Sequence, residues 1–443
     1  MTFGLLDPRW RGLTIGLVLN ITFVAFEALA IATVMPLVTD DLQGVALYGW
    51  VFSAFLLADL VGIVLAGELA DRYGAALPFG VGLALFSVGL LAGGLAPTML
   101  VLVAARAVQG FGAGAIPAVG YVVIGRVYPD ELRPRMFAVL STAWVVPGIA
   151  GPALAVVIAQ QLTWRGVFLG LLPLVLVAGG LALRELRHIR GKPRAPRRVL
   201  RDAIGVALGT GLFLGGLQAH DPIPTAALVV AGLLLGVPAL RRLLPAGTFR
   251  ARGALSAAVL ERGLLTFAFF APDIYVPLTV TSLRGESVVI SGLALTAGTV
   301  AWTTGAWIQE RTVLRVGPAP LVRAGFALLT IGTTGMVIVL TALVPAWAAI
   351  PAWGIGGLGI GMAYSSISLA VLRHAPAGSE GATASSMQLA DILGNALGTG
   401  IGAVAVAIAV ASTGVATSGV AATDALAIAV AAAGVVVAGR LRG

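Results

Sequence analysis

Gly67-Glu68-Leu69-Ala70-Asp71-Arg72-Tyr73-Gly74 is a short charged break between two long apolar runs. Two acids, a base and two flanking glycines stand in a turn too tight for a free loop. The run before it covers roughly residues 46–70, and the run after it residues 77–96. Neither run shows the every-second-residue alternation of a barrel strand. Both therefore read as helices long enough to cross a bilayer.

The rest of the chain repeats that pattern. Of 443 residues, 58% are hydrophobic and 11% charged, which is more apolar surface than a water-soluble chain of this length can hide. The surrounding solvent is lipid, where only helices or a closed barrel satisfy the backbone. Fourteen candidate spans follow: 13–38, 46–70, 77–96, 98–125, 135–160, 164–184, 203–219, 224–244, 254–281, 288–309, 319–343, 347–372, 382–412 and 421–439. An even number puts both termini on one side, which the basic residues identify as the cytoplasm. Only Arg165 and Arg284 fall in outer turns, and Arg106 and Arg262 inside spans; every other basic residue is on the inner side. The net charge of +9 thus belongs to inner loops rather than to a nucleic-acid-binding face. Cysteine is absent, which excludes disulfides, thiolate metal sites and cysteine nucleophiles. The three histidines stand apart, so no metal or cofactor is implied.

The spans group as six, two and six: an N-terminal six-helix bundle over 1–184, a basic cytoplasmic linker over 185–202, an inserted helix pair over 203–244 and a C-terminal six-helix bundle over 254–443. The fold expected is all-α and integral to the membrane, with the two bundles related by pseudo-symmetry. The densest basic stretch, from Arg184 to Arg201, contains Pro193 and Pro196 and so is not one rigid helix. It reads as a topology anchor, with an anionic-lipid contact as the alternative. Gly67-x-x-x-Asp71-Arg72 closes the second helix of the first bundle, and Gly305-Ala306-Trp307-Ile308-Gln309-Glu310-Arg311 closes the second helix of the other. That pairing predicts repeated halves around a central site, the architecture of secondary transporters.

Three motifs carry a resemblance to a known family. Gly67 to Gly74 resembles the signature turn between helices 2 and 3 of the major facilitator superfamily. Arg106-Ala107-Val108-Gln109-Gly110-Phe111-Gly112-Ala113-Gly114-Ala115 is similar to its helix-4 motif, an arginine followed by Gln-Gly and spaced small residues. Pro147-Gly148-Ile149-Ala150-Gly151-Pro152 resembles the helix-5 motif of its drug/proton antiporters, departing from it at Pro147 and at Ala155-Val156. With fourteen spans, the chain is most like the fourteen-helix antiporter branch. The resemblance implies that Gly67, Asp71, Arg72 and Gly74 form a gating turn. In one conformation, Asp71 and Glu68 would meet basic groups or the positive N-terminus of a neighbouring helix.

An ionisable group inside a span costs about 2.5–3.5 kcal/mol on insertion scales, so each one marks a candidate site. Glu27 lies roughly 21 Å from the inner face and Arg106 roughly 12 Å from the outer face of a core about 30 Å thick. The two depths agree. If helices 1 and 4 adjoin, as the resemblance implies, Glu27 and Arg106 pair, as proton carrier and counter-charge or as a static ion pair. Asp59, at mid-span, shares Arg106, faces the cavity, or bonds to Ser53 or a neighbouring helix. Asp273, between Pro272 and Pro277 on a bent helix, is a second protonation or cation site or an outer-mouth acid. Glu261 and Arg262 read as an inner-gate ion-pair network. Asp391 reads as a transport acid or a partner of Asn395. Phe23, Phe26, Trp144, Phe270, Tyr275, Trp302 and Tyr364 are candidates for an aromatic substrate wall, each set against plain helix packing. Gly110-x-Gly112-x-Gly114 follows no strand and reads as helix packing rather than a dinucleotide loop.

The function expected is proton-coupled secondary export of small amphipathic or cationic compounds by alternating access. The alternative is transport of a specific metabolite or lipid by symport or uniport. The partners expected are a small-molecule substrate, protons and the bilayer of a bacterial plasma membrane, with no nucleic acid and a monomeric chain. A nucleotide-binding loop needs a lysine, and Lys192 is the only one. No convergent catalytic set marks an enzyme.

Overall fold

The computed structural model describes residues 4–44, 47–191, 199–217, 219, 221–341 and 343–442. The core of the basic linker, Lys192 to Arg198, lies outside the described residues. Among the described residues, fourteen helical segments are long and apolar enough to cross a membrane. The first half contains α1 (Arg11–Leu42), α2 (Tyr48–Tyr73), α3 (Ala76–Gly94), α4 (Met99–Val127), α5 (Arg133–Thr142), α6 (Val145–Gln161) and α7 (Arg165–Leu186). Helices α5 and α6 share one span, broken at Ala143 and Trp144. Then come α8 (Val199–Leu217) and α9 (Pro222–Leu243). The second half contains α10 (Ala254–Asp273), α11 (Val276–Leu278), α12 (Val288–Val316), α13 (Pro318–Leu340), α14 (Ala349–Arg373), α15 (Glu380–Thr413) and α16 (Thr417–Val437).

The chain divides into two compact units. One comprises residues 1–211, 235–243 and 375–386; the other comprises 212–234, 244–374 and 387–443. In the first unit, α4 packs along α2 and α3, while α1 packs on α6 and α7. In the second, α14 packs along α12 and α13, and α16 packs on α10 and α13.

Glycines set these contacts, because between lipid-immersed helices close backbone approach replaces the hydrophobic effect. A Cβ on Gly110 would overlap the Phe55 carbonyl, one on Gly114 the Asp59 carbonyl, and one on Gly62 the Phe111 carbonyl. In the second unit, a Cβ on Gly357 would overlap the Gly298 carbonyl, one on Gly361 the Trp302 carbonyl, and one on Gly305 the Leu358 carbonyl. Gly112 sits on Gly82 and Phe86 as Gly359 sits on Gly325 and Leu329. Gly89 meets Gln109 as Gly332 meets Gly356. One constant shift along the chain relates α2 to α12 and α3 to α13, and a second relates α4 to α14. The two trios are the same packing unit.

That register corrects one expectation from the sequence. Gly305 is the counterpart of Gly62, five residues from Gly67. The counterparts of Gly67 and Asp71 are Glu310 and Leu314. The glycine that recurs at the helix end is Gly74, with φ 93°, matched by Gly317, with φ 77°. Both end their helices in backbone that side chains disfavour. The acid at Asp71 is therefore specific to the first half, while Arg72 keeps a basic counterpart in Arg315.

The last span of interest is broken as its prolines predict. Pro277 has no N–H to offer the Asp273 carbonyl, so α10 ends at Asp273, and the chain passes through α11 into a π-type turn over Thr279–Leu283. The packing account predicts that Gly114→Ala and Gly361→Ala each destabilise the purified protein by about 1–3 kcal/mol, seen as a lower thermal unfolding midpoint in detergent. Gly170→Ala, where a Cβ would meet nothing within 4 Å, does not lower the midpoint.

Candidate functional site

The first unit contains a closed ion cluster. Arg106 Nη1 donates to Glu27 Oε1 and, at 2.7 Å, to Gln109 Oε1. Arg106 Nε reaches the Val51 carbonyl at 3.4 Å, and the guanidinium lies over the Phe55 ring, 4.1 Å from its centroid. Glu27 and Gln109 are 0% exposed and Arg106 3%. The cluster is thus charge-balanced and buried, with Glu27 Oε2 and the Gln109 amide nitrogen left without partners among the described residues. Asp59 lies against Gly114, about 12 Å along α4 from Arg106 by helical rise. The guanidinium's hydrogen bonds go to Glu27, Gln109 and Val51, so Arg106 is not shared with Asp59.

The charged turn is held from several directions within the same unit. Asp71 Oδ1 accepts from Gly381 N at 2.7 Å and Oδ2 from Ala382 N at 2.9 Å, amides in the first turn of α15 that have no intrahelical acceptor. Arg126 Nη2 donates to Asp71 Oδ1 at 2.6 Å and to Glu380 Oε2 at 2.9 Å, while its Nη1 reaches the Ala70 carbonyl at 3.1 Å. Gly67 and Gly381 pack so closely that a Cβ on either would overlap the other's backbone. One turn along, Ser385 Oγ donates to the Ile63 carbonyl at 2.8 Å. Gly74 passes under the start of the basic linker, where Ala75 N donates to the Ile189 carbonyl at 3.2 Å. Arg72 stays outside this cluster, its guanidinium over the Tyr73 ring. Arg126 and Glu380 were not foreseen, since a basic residue at an inner helix end looks like a topology signal. Nearby, outside the spans, the Tyr128 hydroxyl meets Thr14 Oγ1 at 2.7 Å, and burial pushes its pKa up to about 12.

The second unit gathers its own polar and aromatic set. Asp273 Oδ1 accepts from the indole N–H of Trp353 at 2.8 Å. Trp353 stacks on Phe269, which packs edge-on against Phe270 and Trp302, and Trp302 meets Tyr364. The Tyr364 hydroxyl donates to Asp391 Oδ2 at 2.9 Å, and the Arg262 guanidinium lies 3.3 Å from the Tyr364 ring centroid. Arg262 also donates to Ser368 Oγ at 2.6 Å and stands 4.0 Å from Asp391 Oδ1. The partners of Asp391 are therefore Tyr364 and Arg262 rather than Asn395. Glu261 points elsewhere: both its carboxylate oxygens are buried with no hydrogen-bond partner among the described residues. Of the aromatic candidates, Phe270, Trp302 and Tyr364 share one cluster, and Tyr275 stands against Gly402. Phe26 stands against Gly151, Phe23 is part-buried on α1, and Trp144 is 45% exposed, outside any such cluster.

An all-helical membrane chain with two copies of one helix trio and buried charges in both is a membrane transporter rather than an enzyme. Residues 15–399 match the sequence profile of the Major Facilitator Superfamily, and the chain belongs to that family. A probable multidrug-efflux transporter of Mycobacterium tuberculosis is 28% identical over 420 residues, which cover 90% of this chain and 88% of that protein. The Bacillus subtilis multidrug transporter protein MdtP is 25% identical over 407 residues, covering 88% and 74%. The crystal structure of the human organic anion transporter MFSD10 superposes with a TM-score of 0.72 over 98% of this chain and 100% of its own. At 13% identity, that likeness carries the fold alone.

The chain has no cysteine, so thiol labelling reads the Asp71 contact directly. Ser385 is buried beneath it. In the Ser385→Cys variant, the thiol is expected to resist a water-soluble maleimide. Adding Asp71→Ala, which removes one ion pair and two amide contacts, is expected to speed labelling by at least about tenfold, corresponding to about 1.4 kcal/mol of lost contact.

Proposed function

We propose that the protein exports small amphipathic or cationic compounds in exchange for protons, by alternating access. The bundles 1–184 and 254–443 would carry the motion, the pair 203–244 would be accessory, and both termini would lie in the cytoplasm of a bacterial cell. The observation that supports this best is the fully buried Glu27–Arg106–Gln109 cluster. With Glu27 ionised, the cluster is neutral. A proton on Glu27 and a cationic group placed beside it each add one positive charge. A water-poor site tolerates one such excess far more readily than two, so proton and substrate exclude each other. Mutual exclusion at one carboxylate is the thermodynamic requirement for exchange.

Asp71, Gly67, Gly74 and Arg126 serve in this reading as the inner lock. Its contact with the start of α15 would form in one conformation and break in the other. Arg72 would face the aqueous edge of the same turn. Asp59, Asp391 and the aromatic residues Phe270, Trp302 and Tyr364 would line the path, with Phe23, Phe26, Tyr275 and Trp144 at its margins. Two relatives named as multidrug transporters favour broad export over a single metabolite.

Ethidium efflux from proteoliposomes under an imposed proton gradient tests the reading. Wild-type protein is expected to drive ethidium against its gradient, and Glu27→Gln to reduce that flux at least about tenfold while ethidium binding survives. Full flux in Glu27→Gln would remove Glu27 from coupling. No gradient-driven flux in the wild type would remove the export reading.

A further inference from the structure

The register shared by the two helix trios assigns a counterpart to every residue of α4. Gly110, Gly112 and Gly114 correspond to Gly357, Gly359 and Gly361 through identical contacts, and Gln109 corresponds to Gly356. Three positions before Gln109 stands Arg106, and three before Gly356 stands Trp353. The cation of the first unit is thus replaced, at the same place in the packing, by an indole. The neighbours change to match. Phe55, whose ring carries the Arg106 guanidinium, corresponds to Gly298, and a Cβ on Gly298 would lie 2.8 Å from Trp353 Cδ1. A large side chain beneath a slender guanidinium has become no side chain beneath a bulky indole. Each donor faces a carboxyl on the first helix of its own half, Glu27 on α1 and Asp273 on α10.

The two pairs differ in charge. Glu27 opposite a guanidinium sums to zero when ionised. Asp273 opposite an indole sums to zero only when it carries a proton. We infer that Asp273, positioned by Trp353, is a second proton-binding carboxyl of the transport cycle, the counterpart of Glu27 in the other half of the molecule. The inference extends the proton-coupled reading above, on which its role in transport rests. Its site lies at the end of α10, next to the backbone break that Pro277 imposes, and Asp273 is part-buried while Trp353 is 0% exposed. A proton can therefore reach the carboxyl, yet its donor is fixed.

No cation stands in for the missing guanidinium. Asp273 has no ion pair among the described residues. Helix α14 brings no charged residue before Arg373, α13 brings only Arg323, in its first two turns, and α12 none before Glu310, in its last two turns; on α10 itself Glu261 and Arg262 lie more than three turns earlier. On α15, Asp391 is engaged by Arg262 and Tyr364. Helix α16 brings Asp424, a further acid. Arg284 donates to the carbonyls of Val339 and Val344, and Arg440 to that of Arg250.

Infrared difference spectroscopy of the reconstituted protein across a pH step tests this without any transported compound. The wild type is expected to show the C=O stretches of protonated carboxyls that appear and disappear with the step, one from Glu27 and a second from Asp273. Asp273→Asn, which keeps an acceptor for the indole, is expected to lose the second band. Trp353→Phe, which keeps the stacking on Phe269 but removes the N–H, is expected to retain it at higher frequency. Glu27→Gln is expected to lose the first band and retain the second unshifted. Absence of the second band from the wild type, or its survival in Asp273→Asn, would overturn the inference. So would an unchanged frequency in Trp353→Phe. Failure of the wild type to move ethidium would count against the export reading alone.

Discussion

Lipid tails are as apolar as leucine, so burying side chains cannot hold one membrane helix against another. Close approach of backbones can. That constraint governs this chain: α4 rests on α2 and α3, and α14 on α12 and α13, through glycines whose missing Cβ lets a carbonyl take the space. Contacts of this kind cannot slide by one residue, because the next residue carries a side chain. The register is therefore fixed, and with it the depth and facing of every other side chain on those helices. Arg106 reaches Glu27 because Gly110, Gly112 and Gly114 set α4 against its neighbours.

A fixed frame gives the two halves freedom to differ in chemistry. The first unit compensates a buried acid with a guanidinium and an amide, and leaves one carboxylate oxygen over. The second uses neutral donors, the Trp353 indole for Asp273 and the Tyr364 hydroxyl for Asp391. Its one buried guanidinium among the described residues, on Arg262, is spread over a hydroxyl, a carbonyl, a ring and a carboxylate 4.0 Å away. Phe269 and Trp302 join these two acids through stacked and edge-on rings, so Asp273 and Asp391 share one rigid aromatic support.

Spans were legible in the sequence because hydropathy is a one-dimensional property and the charges between runs are few. The Glu27–Arg106 pair was legible because depth follows from counting residues and the family resemblance implies that helices 1 and 4 adjoin. The register of the repeat was not. Gly305 looks like Gly67 by the charges that follow it, yet its packing partner makes it the counterpart of Gly62. Which glycine faces a helix is decided by the neighbour, and a single sequence does not contain the neighbour. Trp353 was missed for a related reason: an aromatic in an apolar span reads the same whether it faces lipid or an acid. Arg126 and Glu380 were missed because residues at inner helix ends satisfy the topology rule before any other role is sought.

The Asp71 contact shows why a charged turn at an aqueous edge needs so many partners. Asp71 is 3% exposed and Arg126 part-buried, so the carboxylate has given up its hydration and needs a partner for each oxygen. Asp71 engages two amides that no helical carbonyl can satisfy, together with a guanidinium that also grips Glu380. All of them depend on one placement of the first turn of α15, because Gly67 and Gly381 leave no slack between the helices. Removing that turn frees two amides, a carboxylate and half the contacts of Arg126 together. An arrangement in which every bond depends on the same approach is made or lost as a unit, and that cooperativity suits it to a two-state lock better than any single strong bond would.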